Sequence, residues 1–308
     1  MRRIPLFLFL ILLFSFYGCN KDKFEDIPIE GVDSRFHGLR VLWLGTSIPQ
    51  GCIYPAFSCW KLGMWCTNRS KGESMLCFLK KSEKSLTATV NEIEELYRDS
   101  CWENKMSAKQ FGMLKSCSYE TLLMPDIKDF DVVVIDHGYN DIDGINNIPS
   151  QIDWDTMDRT NFIGAFNYLY AKIKEENPQI KVIIGGYFQN TCTIGYSGRG
   201  GKVSNVLELI SAHYNIPLLK VWDETTIPDG YAPCSENYLD SLNAIYGTSF
   251  EKWNPNERGE ITYFQKFCPD TVHPFSDPTG NSDRILNIAV TRQLYKALLE
   301  AYASETAQ

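Results

Sequence analysis

Four short apolar runs that alternate with amphipathic helical patterns constrain the fold of this chain more than any other feature. The run at Asp131–Asp136, DVVVID, is rich in β-branched residues and is typical of a strand buried on both faces. The other runs occupy Leu39–Leu44, Lys181–Ile184 and Ile216–Val221. Apolar residues at helical spacing predict helices over Thr87–Asp99, Asp158–Asn177, Val203–Tyr214 and Arg284–Tyr302. Strands separated by helices predict an α/β fold with a central parallel sheet and helices on both faces.

Length and composition favour one globular domain. The chain has 308 residues, enough for a domain of this class with a full core. No internal repeat, low-complexity tract or Pro/Gly/Ser-rich linker divides the pattern. Hydrophobic residues make up 44% and charged residues 22%, which excludes a disordered or collagen-like chain. The net charge of −8 predicts no nucleic-acid partner, because such a partner needs a basic surface that neutralises phosphates.

The N-terminus has the features of an export signal. Arg2 and Arg3 precede the apolar stretch Ile4–Tyr17, which is too short to span a bilayer but suits a secretory segment. The stretch is followed by Gly18 and Cys19, and this pattern resembles the bacterial lipoprotein signal, in which the cysteine becomes the lipid-modified first residue. An ordinary signal peptide cleaved elsewhere, with Cys19 incidental, is the alternative.

The lipoprotein resemblance divides the chain into three parts. Residues 1–18 would be the signal peptide, residues 19–38 a polar tether, and residues 39–304 the domain. The resemblance implies an extracytoplasmic protein that is attached to a membrane through the lipid at Cys19.

Cysteines are numerous, with ten in the chain. Cys52, Cys59, Cys66 and Cys77 lie within 26 residues of one another. Because an oxidising compartment favours disulfides, we expect one or two of them in this cluster. No Cys-x-x-Cys pair or Cys/His spacing indicates a structural metal site, and we predict no metal.

Polar residues with catalytic potential follow the predicted strands. Ser47 comes after the first strand, and Asn140 and Asp141 come after the strand at Asp131–Asp136. Near the C-terminus, Asp270 precedes His273 by three residues. The carboxyl ends of parallel strands are where α/β sheets bind ligands, so we expect these groups to meet there. A serine, a histidine and a carboxylate are the groups that nucleophilic acyl transfer requires.

These motifs, in this order, resemble the blocks of the SGNH/GDSL family of esterases and acylhydrolases. The family's Gly-Asp-Ser-x-x-x-Gly block is matched at residues 45–51, with Thr46 in place of the aspartate. Its Gly-x-Asn-Asp block is matched at residues 138–141, and its Asp-x-x-His block at residues 270–273. The remaining block contributes a glycine after the second strand, which we place at Gly72. The resemblance covers essentially the whole domain and implies a flavodoxin-like three-layer α/β/α sandwich.

The resemblance also implies a role for each residue. Ser47 would be the nucleophile, His273 the general base and then the acid, and Asp270 the carboxylate that orients His273. The backbone N–H groups of Ser47 and Gly72 and the side-chain amide of Asn140 would form the oxyanion hole. This chemistry needs no cofactor.

The substrate and the alternatives rest on weaker signals. Tethered, extracytoplasmic esterases of this family resemble enzymes that deacetylate glycans, and aromatic residues after strands, such as Tyr139 and Trp222, agree with sugar stacking. Taken singly, Ser47 could be a turn serine, Asn140 a turn cap and His273 a packed loop residue. The alternative function is a surface lipoprotein of the same fold that binds a glycan or a partner protein without catalysis.

Overall fold

The computed structural model describes residues 33–78, 84–102, 107–123, 126–186, 199–225, 243–244, 246–249 and 273–303. Within these residues, four parallel strands form a central sheet in the order β2-β1-β3-β4. The strands are β1, Arg40–Gly45; β2, Trp65–Asn68; β3, Val132–Asp136; and β4, Lys181–Ile184.

The two central strands are buried on both faces. Every residue of β1 after Arg40 is buried, as are the first four residues of β3. The register places Gly45 opposite Asp136, so both strands end at the same level. Because successive side chains of a strand point to opposite faces, burial at every position requires helices on both sides of the sheet.

Ten α-helices and three short 3-10 helices occur in the described ranges. The α-helices are α1, Ser47–Gly51; α2, Tyr54–Lys61; α3, Val90–Trp102; α4, Ala108–Lys115; α5, Tyr119–Leu122; α6, Ile142–Asn146; α7, Phe162–Glu176; α8, Arg199–Tyr214; α9, Val221–Thr225; and α10, Asn281–Ala301. The 3-10 helices are Ser34–Phe36, Ile127–Asp129 and Pro274–Ser276.

The helices pack in two groups. α2 packs against α10, where Thr291 Oγ1 donates a hydrogen bond to Ser58 Oγ at 3.1 Å. α7 meets α8, where Tyr214 Oη donates to Asn167 Oδ1 at 2.6 Å. The ring of Phe166 packs beside that of Tyr214, with centroids 5.6 Å apart. The predicted α/β fold, with a central parallel sheet flanked by helices, is confirmed.

One predicted strand is wrong. At Ile216–Val221, Leu218 forms only a single bridge to Ile184, and α9 begins at Val221. Pro217 accepts a hydrogen bond from Ile184 N at 2.9 Å but has no N–H to continue a ladder. The four predicted helices are present as α3, α7, α8 and α10, with ends shifted by up to a few residues.

The predicted disulfides are also wrong for the cysteines that the structure describes. None of the described cysteines forms a disulfide: Cys52, Cys59, Cys66, Cys77 and Cys117. Cys52 lies beside the carboxyl group of Asp283, and Cys77 lies beside that of Asp141, whose Oδ1 accepts a hydrogen bond from Cys77 N at 2.8 Å. Two of the four clustered cysteines therefore face carboxylates on other segments.

The end of the predicted tether packs on the fold. Phe36 is fully buried, and its ring lies 5.9 Å from the rings of Tyr295 and Tyr302, centroid to centroid. Phe36 is therefore packed against α10 and the residue that follows it. In the ranges described, no helix has both the length and the apolar character that crossing a membrane demands.

Candidate active site

The turn from β1 into α1 positions Ser47. Thr46 caps the helix, because its Oγ1 accepts a hydrogen bond from Ile48 N at 3.4 Å. Thr46 is only 3% exposed, so its side chain is also packed. Threonine can cap a helix as aspartate does, which explains how this position departs from the Gly-Asp-Ser pattern while Ser47 stays at the end of the strand.

Ser47 and His273 meet across 226 residues of sequence. Ser47 Oγ lies 2.8 Å from His273 Nε2, which is hydrogen-bond distance. The backbone of His273 is fixed by the 3-10 helix that follows, since its carbonyl oxygen accepts hydrogen bonds from Ser276 N at 3.0 Å and Ser276 Oγ at 2.6 Å. A hydroxyl hydrogen-bonded to an imidazole can give up its proton as it attacks an electrophile.

Gly72 lies beside Ser47. The chain leaving β2 continues along β1, with Arg69 N donating to Trp43 O at 2.8 Å and Lys71 N to Gly45 O at 2.9 Å. A Cβ atom on Gly72 would lie 3.7 Å from Ser47 Cβ. The Gly72 N–H donates to the side-chain carbonyl of Gln50, Oε1, at 2.6 Å, so this predicted oxyanion donor has a protein partner.

The loop after β3 contains Asn140 and Asp141. The Asn140 side-chain amide donates to Ser74 O at 3.0 Å, which uses one of its two N–H groups. Asp141 Oδ1 accepts hydrogen bonds from Leu76 N at 2.7 Å and Cys77 N at 2.8 Å. Asp141 is fully buried, and burial raises the pKa of its carboxyl group to about 6 against these hydrogen bonds. Asp141 thus holds the loop of residues 74–77 against the loop of Asn140.

His137 is a buried histidine at the same edge of the sheet. It is 5% exposed, and burial lowers the pKa of its imidazole to about 3, so the ring is neutral. Its Nε2 lies 3.3 Å from Ser74 Oγ, and its Nδ1 has no hydrogen-bond partner among the described residues.

Asp136, the last residue of β3, was not predicted as a site residue. Its Oδ2 accepts hydrogen bonds from Tyr54 Oη at 2.7 Å and Trp43 Nε1 at 3.1 Å. Loss of hydration raises the pKa of the Asp136 carboxyl group to about 6, although both donors oppose the shift. Burial and the neighbouring Asp136 charge also raise the pKa of Tyr54. The sequence signal was an acid at a strand end beside the Gly-x-Asn-Asp motif.

Two predicted site residues, Asp270 and Cys19, lie outside the described residues. Trp222 is 4% exposed, so this residue belongs to the core and does not offer a sugar-stacking surface. In the described part of the chain, no three His, Cys, Asp or Glu side chains cluster as metal ligands would.

Comparison with known proteins gives weak similarities. No protein-family model and no curated protein matches the chain. A solved structure from Lactobacillus plantarum is 16% identical, with a TM-score of 0.43, over 86% of this chain and 98% of that one. A candidate GDSL-like lipase from Parabacteroides merdae is 13% identical, with a TM-score of 0.38, over 84% of this chain and 97% of that one. LAE5, an α/β hydrolase from the metagenome of Lake Arreo, is 11% identical, with a TM-score of 0.35, over 87% and 96%.

Proposed function

We propose that the protein is a serine hydrolase of carboxylic esters. The observation that carries the proposal is the distance of 2.8 Å between Ser47 Oγ and His273 Nε2. The pair lies at the carboxyl end of β1, where parallel α/β sheets place their reactive groups. Ser47 also follows the strand at the position that the SGNH/GDSL pattern gives to its nucleophile.

In the proposed mechanism, Ser47 Oγ attacks the ester carbonyl while His273 Nε2 takes its proton. The tetrahedral intermediate then collapses, the alcohol leaves with the proton from His273, and the acyl group remains on Ser47. Water, deprotonated by His273, releases the acid and restores Ser47. Asp270, three residues before His273, is proposed as the carboxylate that orients the imidazole.

The proposed oxyanion hole consists of the Ser47 N–H, the Gly72 N–H and the Asn140 side-chain amide. Gly72 supports this proposal by its position against Ser47. Asn140 retains a second N–H beyond the one that Ser74 accepts. The Gln50 side chain, which accepts from Gly72, is exposed and can rotate away when a substrate oxygen replaces it. Each such donor contributes about 10²- to 10³-fold to turnover.

The test is ester hydrolysis by the full chain, with p-nitrophenyl acetate as the probe. We expect Ser47→Ala and His273→Ala each to lower kcat by at least about 10³-fold. Ser116→Ala is the matched control. The Ser116 hydroxyl donates to Met113 O at 2.7 Å and lies beside the thiol of Cys117, both close to it in sequence. If wild type is no faster than Ser47→Ala, hydrolysis is refuted and the chain is instead a binding protein of this fold.

For the substrate, we propose a short acyl group, acetyl in the first instance, carried by a glycan. The support is the lipoprotein-like N-terminus together with the resemblance to glycan deacetylases. Release of acetate from acetylated oligosaccharides, compared with p-nitrophenyl esters of longer acids, tests both parts. Faster cleavage of long-chain esters would contradict the acetyl assignment.

We also propose that Cys19 is lipidated and tethers the protein outside the cytoplasm. Metabolic labelling with a radioactive fatty acid should label the wild-type chain, and Cys19→Ser should abolish the label while Cys117→Ser keeps it. A label that survives Cys19→Ser would refute the anchor without touching the esterase proposal.

A further inference from the structure

A small cavity adjoins the proposed reaction centre. Thr46, the neighbour of Ser47, and Tyr139, the neighbour of Asn140, both line it, together with Asp136, His137 and Tyr54. The cavity has room for about one water molecule. A group of that size is a single hydroxyl rather than an acyl chain.

Asp136 is the charged group of this cavity. Tyr54 and Trp43 both donate to its Oδ2, whereas its Oδ1 has no hydrogen-bond partner among the described residues. Two glycines flank it: a Cβ on Gly45 would lie 2.8 Å from Asp136 O, and one on Gly185 would lie 2.5 Å from Asp136 Cβ. The positions beside Asp136 on the two neighbouring strands therefore have no side chain, and two donors fix the orientation of the carboxylate.

We propose that Asp136 accepts a hydrogen bond from a hydroxyl group that the substrate carries close to the scissile ester. This inference rests on the proposed ester hydrolysis at Ser47 and adds what the substrate must contain. A hydroxyl has the size of the water that the cavity admits and can replace it without loss of hydrogen bonds. A methyl group in the same place would leave the carboxylate Oδ1 without a partner, which is costly because this oxygen needs a hydrogen-bond donor.

The hydroxyl belongs either to the alcohol or to the acyl half of the ester, and isosteric substrates separate the two sources. 2-Hydroxyethyl acetate is compared with propyl acetate, and ethyl glycolate with ethyl propionate. In one of the two pairs, kcat/KM of the full-length wild type should favour the hydroxylated ester by about 10- to 100-fold. In Asp136→Asn this ratio should fall by at least about fivefold, because the amide lacks the charge that strengthens the bond.

A control variant separates recognition by Asp136 from a general effect of removing a carboxylate. Asp155→Asn, at an exposed position, should behave as wild type. If Asp136 only supported the fold, Asp136→Asn would lower kcat/KM equally for both members of each pair.

The outcomes that overturn the proposal are distinct from failure of the proposed function. Ratios near one for both pairs in wild type, or ratios unchanged in Asp136→Asn, overturn the hydroxyl site while Ser47-dependent hydrolysis stands. No Ser47-dependent hydrolysis of any ester overturns both. The wild-type ratios alone decide the matter if Asp136→Asn does not fold.

Discussion

Asp141 makes the stability of the fold depend on pH in a direction opposite to that of most carboxylates. Burial raises the pKa of Asp141 to about 6, above the value of about 4 that an exposed aspartate has. The folded state therefore keeps the Asp141 proton up to about pH 6, while the unfolded chain releases it near pH 4. Between these values the folded state binds more protons than the unfolded state, so stability falls as pH rises.

The size of the effect follows from the shift. A difference of about two pKa units at about 1.4 kcal/mol per unit amounts to about 3 kcal/mol of stability lost on ionisation. Asp141→Asn resembles the neutral acid, and its side-chain oxygen can still accept from Leu76 N and Cys77 N. The variant should thus match wild type near pH 4 and become more stable by about 3 kcal/mol near pH 7.5.

Urea unfolding at several pH values measures this difference, with tryptophan fluorescence and circular dichroism as two probes that should coincide. Comparison with Asp141→Asn cancels other groups that titrate, Asp136 included. Asp155→Asn, at an exposed position, serves as the control and should run parallel to wild type. If the curves of Asp141→Asn and wild type are parallel from pH 4 to 7.5, burial of an ionised Asp141 is not the cost we describe.

Two other predictions concern Gln50 and Arg159. Gln50→Ala frees the Gly72 N–H from its 2.6 Å hydrogen bond, so kcat/KM for p-nitrophenyl acetate should rise about 2- to 10-fold, whereas an unchanged value would show that Gln50 does not compete with substrate. The Arg159 guanidinium hydrogen-bonds Glu92 and, with the Thr89 hydrogen bonds, lowers the pKa of that carboxyl group to about 2 against desolvation. The stabilisation by ionised Glu92 is present above the pKa of Glu92 in the unfolded chain and is lost as pH falls through its pKa in the folded state. Arg159→Ala should therefore lower the free energy of urea unfolding by about 1–2 kcal/mol at pH 6, allowing for solvent screening. Near pH 2 the loss should be much smaller. A cost that did not change with pH would assign the effect of Arg159 to packing.

The sequence predicts those parts of the fold that local pattern determines. The run DVVVID predicts β3 because burial on both faces leaves a continuous apolar strand. Ile216–Val221 is also an apolar run but forms one bridge, since strand formation also requires a partner with free donors and acceptors, and Pro217 offers no N–H. Pairing is a tertiary property that composition does not contain.

In the site, too, local sequence pattern predicts some residues, while contacts between distant segments leave no such pattern. Ser47 and His273 were predicted from strand ends and motif spacing, and they lie in hydrogen-bond contact. The contacts of Gln50 with Gly72, and of Tyr54 with Asp136, join residues 22 and 82 positions apart. Neither contact leaves a local pattern, because each joins two segments that meet only when the helices and loops pack on the sheet.

Asp136 and Asp141 lie at the two ends of the loop after β3, and the preference between esters separates their roles. Both carboxyl groups have a pKa raised to about 6 by burial, so each destabilises the fold once it ionises. Replacing a buried carboxylate with a neutral side chain commonly stabilises a protein, and the recurrent cost is lost activity where the charge takes part in function. Above pH 6, Asp136→Asn and Asp141→Asn should therefore both raise the urea midpoint, but only Asp136→Asn should change the preference between hydroxylated and methyl-bearing esters. If both variants changed that preference equally, the turn would act as one electrostatic unit, and the separate role of Asp136 in substrate recognition would have to be withdrawn.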